Sequence, residues 1–345
     1  MPQRRREKRS GARMTLADVA REAGVSTALV SIVMRDAPGA SDETRARVRR
    51  IADELGYVPD QRARKLRQSS SRLLGVTFEL REPFHGDLVE EIYAVAAEAD
   101  YDVVISAIAP TRSESRALDT VLSERCEAAI LLGSRLDDDA LATTARRLPV
   151  VVVARGSDVD DVGFVRSDDS AGIGLAVDHL VELGHSDIVH IDGADAPGAQ
   201  DRREGFRAAM ARHGRSDHAR IVRGGLGQID GARAMREVFD AGDPPTAVIA
   251  FNDDCATGVI DAIGHAGLRV PEDISVVGYD DARLASRLRV PLTTVSQDAR
   301  QMAADAVAGV LTMIDGGEPP ATVRLPTLVV RGTTATALRD PASAR

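Results

Sequence analysis

Long apolar runs are missing. No stretch of the 345 residues approaches the roughly 18 apolar residues that a membrane-spanning helix needs. The basic N-terminus (Arg4, Arg5, Arg6, Lys8, Arg9) is followed by no hydrophobic segment, so it does not read as a secretory signal. Cysteine is scarce: Cys126 and Cys255 alone supply neither a disulfide framework nor a zinc site, and a reducing cytoplasm is the simplest setting. Lysine is as scarce, with Lys8 and Lys65 only, so there is no Walker-type phosphate loop. Gly172-Ile173-Gly174 imitates a dinucleotide loop, but Val177 stands where the third glycine belongs. No G-x-S-x-G occurs, the pairs His179/His185 and His213/His218 lack acidic partners at metal-ligand spacing, and no solenoid repeat is evident. These gaps weigh against an α/β enzyme, and no cofactor or metal is expected.

Charge is present but unevenly placed. The chain carries a net −9, yet residues 1–75 hold 17 Lys/Arg against 9 Asp/Glu and the remainder holds 27 against 44. A basic head on an acidic body is the electrostatic footprint of a small nucleic-acid-binding module attached to something else. Local punctuation supports this. Thr15 can cap a first helix, with Asp18 placed as in a capping box. Leu16, Val19, Ala20 and Ala23 then form one apolar face. Gly24-Val25 makes a tight turn, Ser26 is a good N-cap for a second helix to about Met34, and a third runs from Ser41 to Gly56 with Asp42 and Glu43 in its first turn. Two short helices joined by a glycine turn predict a helix-turn-helix. The basic segment Pro59–Arg67 is too short for a stable isolated helix and predicts one ordered by a partner; Ser69–Ser71 form a polar linker.

After Arg72 strands and helices alternate. Apolar runs at Leu73–Leu80, Val103–Ile108, Ala128–Leu132 and Val150–Val153 predict strands, with an amphipathic helix at Leu88–Ala99. The pattern resumes with a helix near Ala171–Leu183, strand Ile188–Ile191, helix Gln200–His213, and strands Ala247–Phe251 and Ile274–Gly278. Such runs predict parallel sheets buried on both faces. Roughly 270 residues exceed one core, so two subdomains hinged near Arg166–Asp169 are expected, with a ligand cleft at the strand C-termini between them.

The segments TLADVAREAGVS, GASDETRARV, ELGYVPDQRARKLR, LLGVTFELREPF, HLVELGHSDIVHIDG, DRREGF, TAVIAFND, ISVVGYDD, PLTTVSQD and LPTLVVRGTT, in this order from Thr15 to about Thr334, resemble the lactose-repressor/galactose-repressor (LacI–GalR) family of bacterial transcription regulators. The resemblance implies an all-α helix-turn-helix head plus an α/β periplasmic-binding-protein-like core of two doubly wound parallel-sheet subdomains. It implies a basic tail (1–13), the helix-turn-helix domain (14–58), a hinge helix with linker (59–71), and core subdomains of 72–167 with 298–326 and of 168–297 with 327–340. A homodimer on a palindromic double-stranded operator follows, since one recognition helix reads only about four base pairs. The implied function is a ligand-responsive regulator, most simply a repressor. The alternative is a solute-binding protein or enzyme, neither of which has a use for the basic head.

Carried over residue by residue, Thr15 joins the DNA-facing set, Thr27, Ala28 and Ile32 face bases, and Ser26, Leu29 and Ser31 lie where phosphate contacts are common. Ile32 departs from the family's usual Arg: it can touch a thymine methyl but cannot read guanine, or it packs within the head. Leu29 replaces a usual Thr. Leu66 corresponds to the family's minor-groove wedge, with Ala63 on the same face and Arg62, Arg64 and Lys65 in reach of phosphates; Asp60 replaces a usual Asn. The effector positions are Phe84, His85, Arg202, Leu226, Asn252, Asp280 and Gln297, a set suited to a carbohydrate or similar polyol. Asp280 serves equally as a turn residue and Asn252 as a helix cap. His85, in place of a frequent Phe, either bonds the ligand or lines the rim. Ala154 and Gly133 stand where many members carry polar groups, which predicts a less polar wall on the first-subdomain side. Induction and co-repression are both open at this point.

Overall fold

A computed structural model of the protein describes residues 14–34, 36–57, 70–242 and 244–337. They form two compact units dividing at Ser70/Ser71. The predicted hinge segment, with Arg62, Ala63, Lys65 and Leu66, lies outside the described residues.

The first unit is three helices: α1 (Leu16–Ala23), α2 (Thr27–Met34) and α3 (Asp42–Glu54). Their ends are set by local chemistry. Thr15 and Asp18 form the reciprocal capping box, Asp18 N–H donating to Thr15 Oγ1 (3.3 Å) and Thr15 N–H to Asp18 Oδ2 (3.0 Å). Gly24 closes α1 in the left-handed region at φ 66°, as only glycine does cheaply. Ser26 Oγ then accepts from Leu29 N–H (3.2 Å) to start α2, and Ser41 caps α3. Val19, Val30, Val33 and Val48, all buried, hold the three together.

The second unit contains two six-stranded sheets. Strands β1 (Leu73–Glu79), β2 (Asp102–Ile108), β3 (Ala128–Leu132), β4 (Val150–Val153) and β5 (Val162–Ser167) pair in parallel in the order β2-β1-β3-β4-β5. The helices between them are α4 (Pro83–Glu98), α5 (Glu114–Ser123) and α6 (Asp138–Ala145). The chain then enters α7 (Asp169–Glu182), capped by Asp168, and builds a second sheet. Its strands β6 (Ile188–Asp192), β7 (Ala219–Arg223), β8 (Ala247–Ala250), β9 (Ser275–Asp280) and β10 (Thr293–Ser296) run in the order β7-β6-β8-β9-β10. Helices α8 (Ala199–Arg212), α9 (Gln228–Asp240) and α10 (Asp253–His265) cover its faces. Helix α11 (Ala299–Ile314) returns to the first sheet, packing Met302, Ala306 and Val310 with Leu88 and Ile92 of α4, and β11 (Ala321–Arg324) joins β5 in parallel.

The last strand, β12 (Thr327–Val329), is antiparallel to β10, a departure from the all-parallel expectation. Only Leu325 and Pro326 separate it from β11. The chain does not turn back on β11 but passes on into the second sheet, entering it from the cleft end, against the direction of β10.

Helices α9 and α10 meet backbone to backbone. A Cβ on Gly258 would lie 1.8 Å from Gln228 O, and one on Gly231 2.1 Å from Cys255 O. Backbone has no rotamer with which to retreat, so Gly258→Ala is expected to destabilise the core by about 2–3 kcal/mol, read as a lowered chemical-denaturation midpoint at unchanged slope.

Candidate functional site

In the head, Thr27 and Ala28 are exposed on the first turn of α2, while Leu29, Ser31 and Ile32 are half-buried. The helix carries no charged side chain. Ser26 and Thr15 both have acceptor lone pairs engaged in caps, and Thr15 Oγ1 also donates to Asp18 Oδ2 (2.6 Å). Ile32 lies against the α2–α3 loop, its Cδ1 and Cγ2 3.8 and 3.9 Å from where Gly39 would carry a Cβ. Part of that side chain is therefore used in packing. Arg49 pairs with Asp36 (2.7 Å) and Arg50 with Glu54 (2.6 Å), while Arg47 is exposed with no ion pair among the described residues.

All seven expected effector residues line one cavity of about 280 Å³. It sits at the C-terminal ends of both parallel sheets. There each strand order reverses, between β1 and β3 and between β6 and β8, and the loops diverge to leave a crevice. Sequence reading missed Glu79, Glu82, Ile108, Glu114, Arg135, Ala196, Pro197 and Phe251, which complete the lining. Glu79 and Ile108 end strands and Phe251 follows one directly, a signal the crevice rule could have used. Three carboxylates among them overturn the expected less polar first-subdomain wall. Ala154 and Gly133 do face the cavity without polar side chains, but Glu79 ends β1, Glu82 precedes α4 and Glu114 opens α5, and sequence alone does not aim these positions into the cleft.

Arg202 is almost fully buried, its guanidinium carbon 3.5 Å from the Tyr279 ring centroid and 4.4 Å from that of Phe251. Its Nε donates to Asp169 Oδ1 (2.7 Å) and its Nη1 to Phe251 O (2.5 Å). The expected open donor fork is thus mostly spent inside the protein, leaving the Nη2 edge, 4.0 Å from Asp280 Oδ1, toward the cavity. Asp280 accepts from Gln297 Nε2 (2.6 Å), and Gln297 Oε1 accepts from Ser167 Oγ at the end of β5 (2.7 Å). Burial pushes the Asp280 carboxyl up to about 7 against the opposing pull of Arg202. Asn252 does cap α10, its Oδ1 accepting from Cys255 N–H (2.8 Å), and its Nδ2 also donates to Glu82 Oε2 (3.3 Å) across the cleft. Burial, then the Asp280 charge, drives Glu82 up to about 8. His85 Nδ1 accepts from Glu79 N–H (3.1 Å), and burial lowers its pKa to about 4, so a neutral ring faces the cavity.

Backbone strain collects here too. Asp280 (φ 108°) and Ala154 (φ 66°) are lining residues with positive φ, a conformation that in a non-glycine residue persists only where surroundings over-determine it. Just outside, Arg283 bridges the sheets: its Nε lies 3.2 Å from Asp87 Oδ1 on α4, and its guanidinium meets Glu90. Arg283→Ala is expected to weaken ligand binding severalfold by favouring a more open cleft, since a half-exposed pair contributes about 1 kcal/mol. Calorimetric titration checks it.

Residues 15–60 match the model of bacterial regulatory proteins, lacI family, and residues 177–334 that of a periplasmic binding protein-like domain. The HTH-type transcriptional repressor CytR of Escherichia coli (strain K12) is 32% identical over 327 residues, covering 93% of this chain and 96% of the relative. The chain belongs to the lacI family. A crystal structure of a LacI transcriptional regulator from a Rhodococcus species is 56% identical with a TM-score of 0.75, covering 77% of this chain and 100% of that one. The lac repressor dimer bound to operator and the anti-inducer ONPF is 30% identical with a TM-score of 0.78, covering 94% and 100%. No helix among the described residues is long and apolar enough to cross a membrane.

Proposed function

We propose that this lacI-family protein is a transcriptional repressor that binds a palindromic operator as a homodimer. In this reading it releases or grips DNA according to a small polyol or sugar-like effector held between its two sheets, and it works in the cytoplasm without catalysing a reaction. The observation that carries this is convergence: seven residues from six separated chain segments meet in one cavity bridged by hydrogen bonds from both sheets. A ligand satisfying the groups on both walls favours one arrangement of the two sheets, and β1 directly follows the segment that joins the head to this core. The relatives fit this reading, being a repressor and a repressor dimer on its operator.

Thr15, Ser26, Thr27, Ala28, Leu29, Ser31 and Ile32 would form the reading face, and Leu66 the minor-groove wedge flanked by Arg62, Ala63 and Lys65. Leu66→Ala is expected to lower operator affinity by an order of magnitude or more, because the bend gained by unstacking is lost. A gel shift unchanged by that substitution would remove the wedge. The deciding experiment for the function is a thermal-shift screen of sugars and small metabolites, followed by operator binding with each hit. By linkage, ligand and operator must change each other's affinity by the same factor; equal ligand affinity with and without operator would sink the reading.

A further inference from the structure

The wall of the cavity built from the first sheet is acidic. Glu79, Glu82 and Glu114 line it, and Asp280 faces them from the second sheet. Compensation is thin. Arg202 is held by Asp169 at 2.7 Å, and Arg135 is exposed, meeting Glu114 Oε2 through its backbone N–H (2.9 Å). Glu114 Oε1 is buried without a hydrogen-bond partner, and Glu82 receives the Asn252 amide at a long 3.3 Å. These carboxylates are spread around the cavity rather than gathered. Among the described residues no three His, Cys, Asp or Glu converge closely enough to hold a metal ion.

His85 supplies an independent observation. It is more than nine-tenths buried, and because Nδ1 accepts from Glu79 N–H, its proton resides on Nε2. That nitrogen has no hydrogen-bond partner among the described residues and lies on the cavity lining, 2.9 Å from where Gly133 would carry a Cβ. A side chain at 133 would displace the ring, so the glycine and the histidine belong together. The cavity therefore offers one fixed donor beside several under-compensated acceptors.

We propose that the effector is an amine-bearing polyol, an amino sugar in chemical class, whose ammonium group sits against Glu82 while one of its oxygens accepts from His85 Nε2. This rests on the ligand-responsive reading above and names the ligand class of the same cavity. A neutral polyol could fill the hydrogen bonds but brings no counter-ion, so Glu82 would stay protonated in the filled cavity. An ammonium group supplies both, through charge-assisted bonds roughly twice as strong as neutral ones. It also carries a proton signature. Glu82, held at about 8 by burial and by Asp280, is largely protonated near neutral pH, and an adjacent ammonium favours the carboxylate and expels that proton.

Isothermal titration of the full-length protein with matched pairs tests this: glucose against glucosamine, galactose against galactosamine, mannose against mannosamine. At least one amino sugar is expected to bind about ten- to a hundredfold tighter than its neutral partner. Its binding should release protons, read from the heats in buffers of different ionisation enthalpy. Glu82→Gln should bring the affinity ratio close to unity and abolish the release. A neutral sugar binding as tightly as its amino partner, or no binding by any of these sugars at millimolar concentration, overturns the amine assignment. Preference for an amino sugar without any change in operator affinity would leave the assignment standing and overturn the regulatory reading instead.

Discussion

Replacing Arg202 by Ala is expected to destabilise the core by about 3–5 kcal/mol, the usual loss when one partner of a buried ion pair is removed. The size follows from what remains. Asp169 is itself buried and loses the Nε contact at 2.7 Å, Asp280 loses its nearest cation, Phe251 O loses a donor, and two aromatic rings lose the plane packed between them. Burial already raises the Asp169 carboxyl above its ordinary value, with Arg202 as the largest opposing influence. Without the guanidinium both carboxyls rise further above their unfolded values. In the variant the folded state then holds protons that the unfolded chain gives up, so its stability falls as pH rises from the unfolded carboxylate range up through the raised folded values. The destabilisation should therefore shrink as the pH is lowered toward about 5, measured by denaturant unfolding at several pH values. A loss that does not depend on pH would mean that packing against Tyr279 and Phe251 outweighs charge.

Operator affinity is expected to fall by roughly 10³ to 10⁵ between about 50 and 200 mM salt, the range for six to ten neutralised phosphates. The charge distribution makes the effect steep. Residues 1–75 carry a surplus of Lys/Arg, whereas the rest of the chain is strongly acidic and repels the duplex. Among the described residues, the helical head offers little unpaired positive charge. Arg45, Arg49 and Arg50 are engaged with Asp36 and Glu54, and α2 contributes no charge. The surplus lies in Arg4, Arg5, Arg6, Lys8, Arg9 and Arg13 and in Arg62, Arg64, Lys65 and Arg67. Removing residues 1–13 should flatten the plot of log affinity against log salt, with less change in sequence preference, since phosphate contacts carry little base information. Fluorescence anisotropy with operator and scrambled duplexes reads both. A slope indifferent to the tail would place the phosphate contacts on the hinge segment and Arg47 instead.

Much of the fold is legible in the chain because its determinants are local. Thr15, Ser26, Ser41, Asp168 and Asn252 cap helices with their own side chains. Runs such as Ala128–Leu132 and Val150–Val153 are fully buried strands with no polar face to confuse the period. What escaped was set by contacts distant in sequence. The antiparallel β12 depends on the sheet that β11 has just left. Glu79 reads as an ordinary strand end, and Glu82 and Glu114 as residues outside any predicted element, since nothing in their neighbourhood says that Asn252 and Asp280 lie opposite.

The sequence by itself determined the division into a basic helical head and an alternating α/β core, and through the ordered family motifs it named the seven residues that meet in the cleft. Only the tertiary structure decided what those residues have left to give a ligand. It spends the guanidinium of Arg202 on Asp169 and Phe251, fixes His85 as a single donor through the Glu79 amide, and surrounds the cavity with carboxylates in place of a bland wall. The physical reason is that hydrogen-bonding capacity and charge are properties of a side chain together with its partners. Those partners come from positions as much as 170 residues apart in the chain.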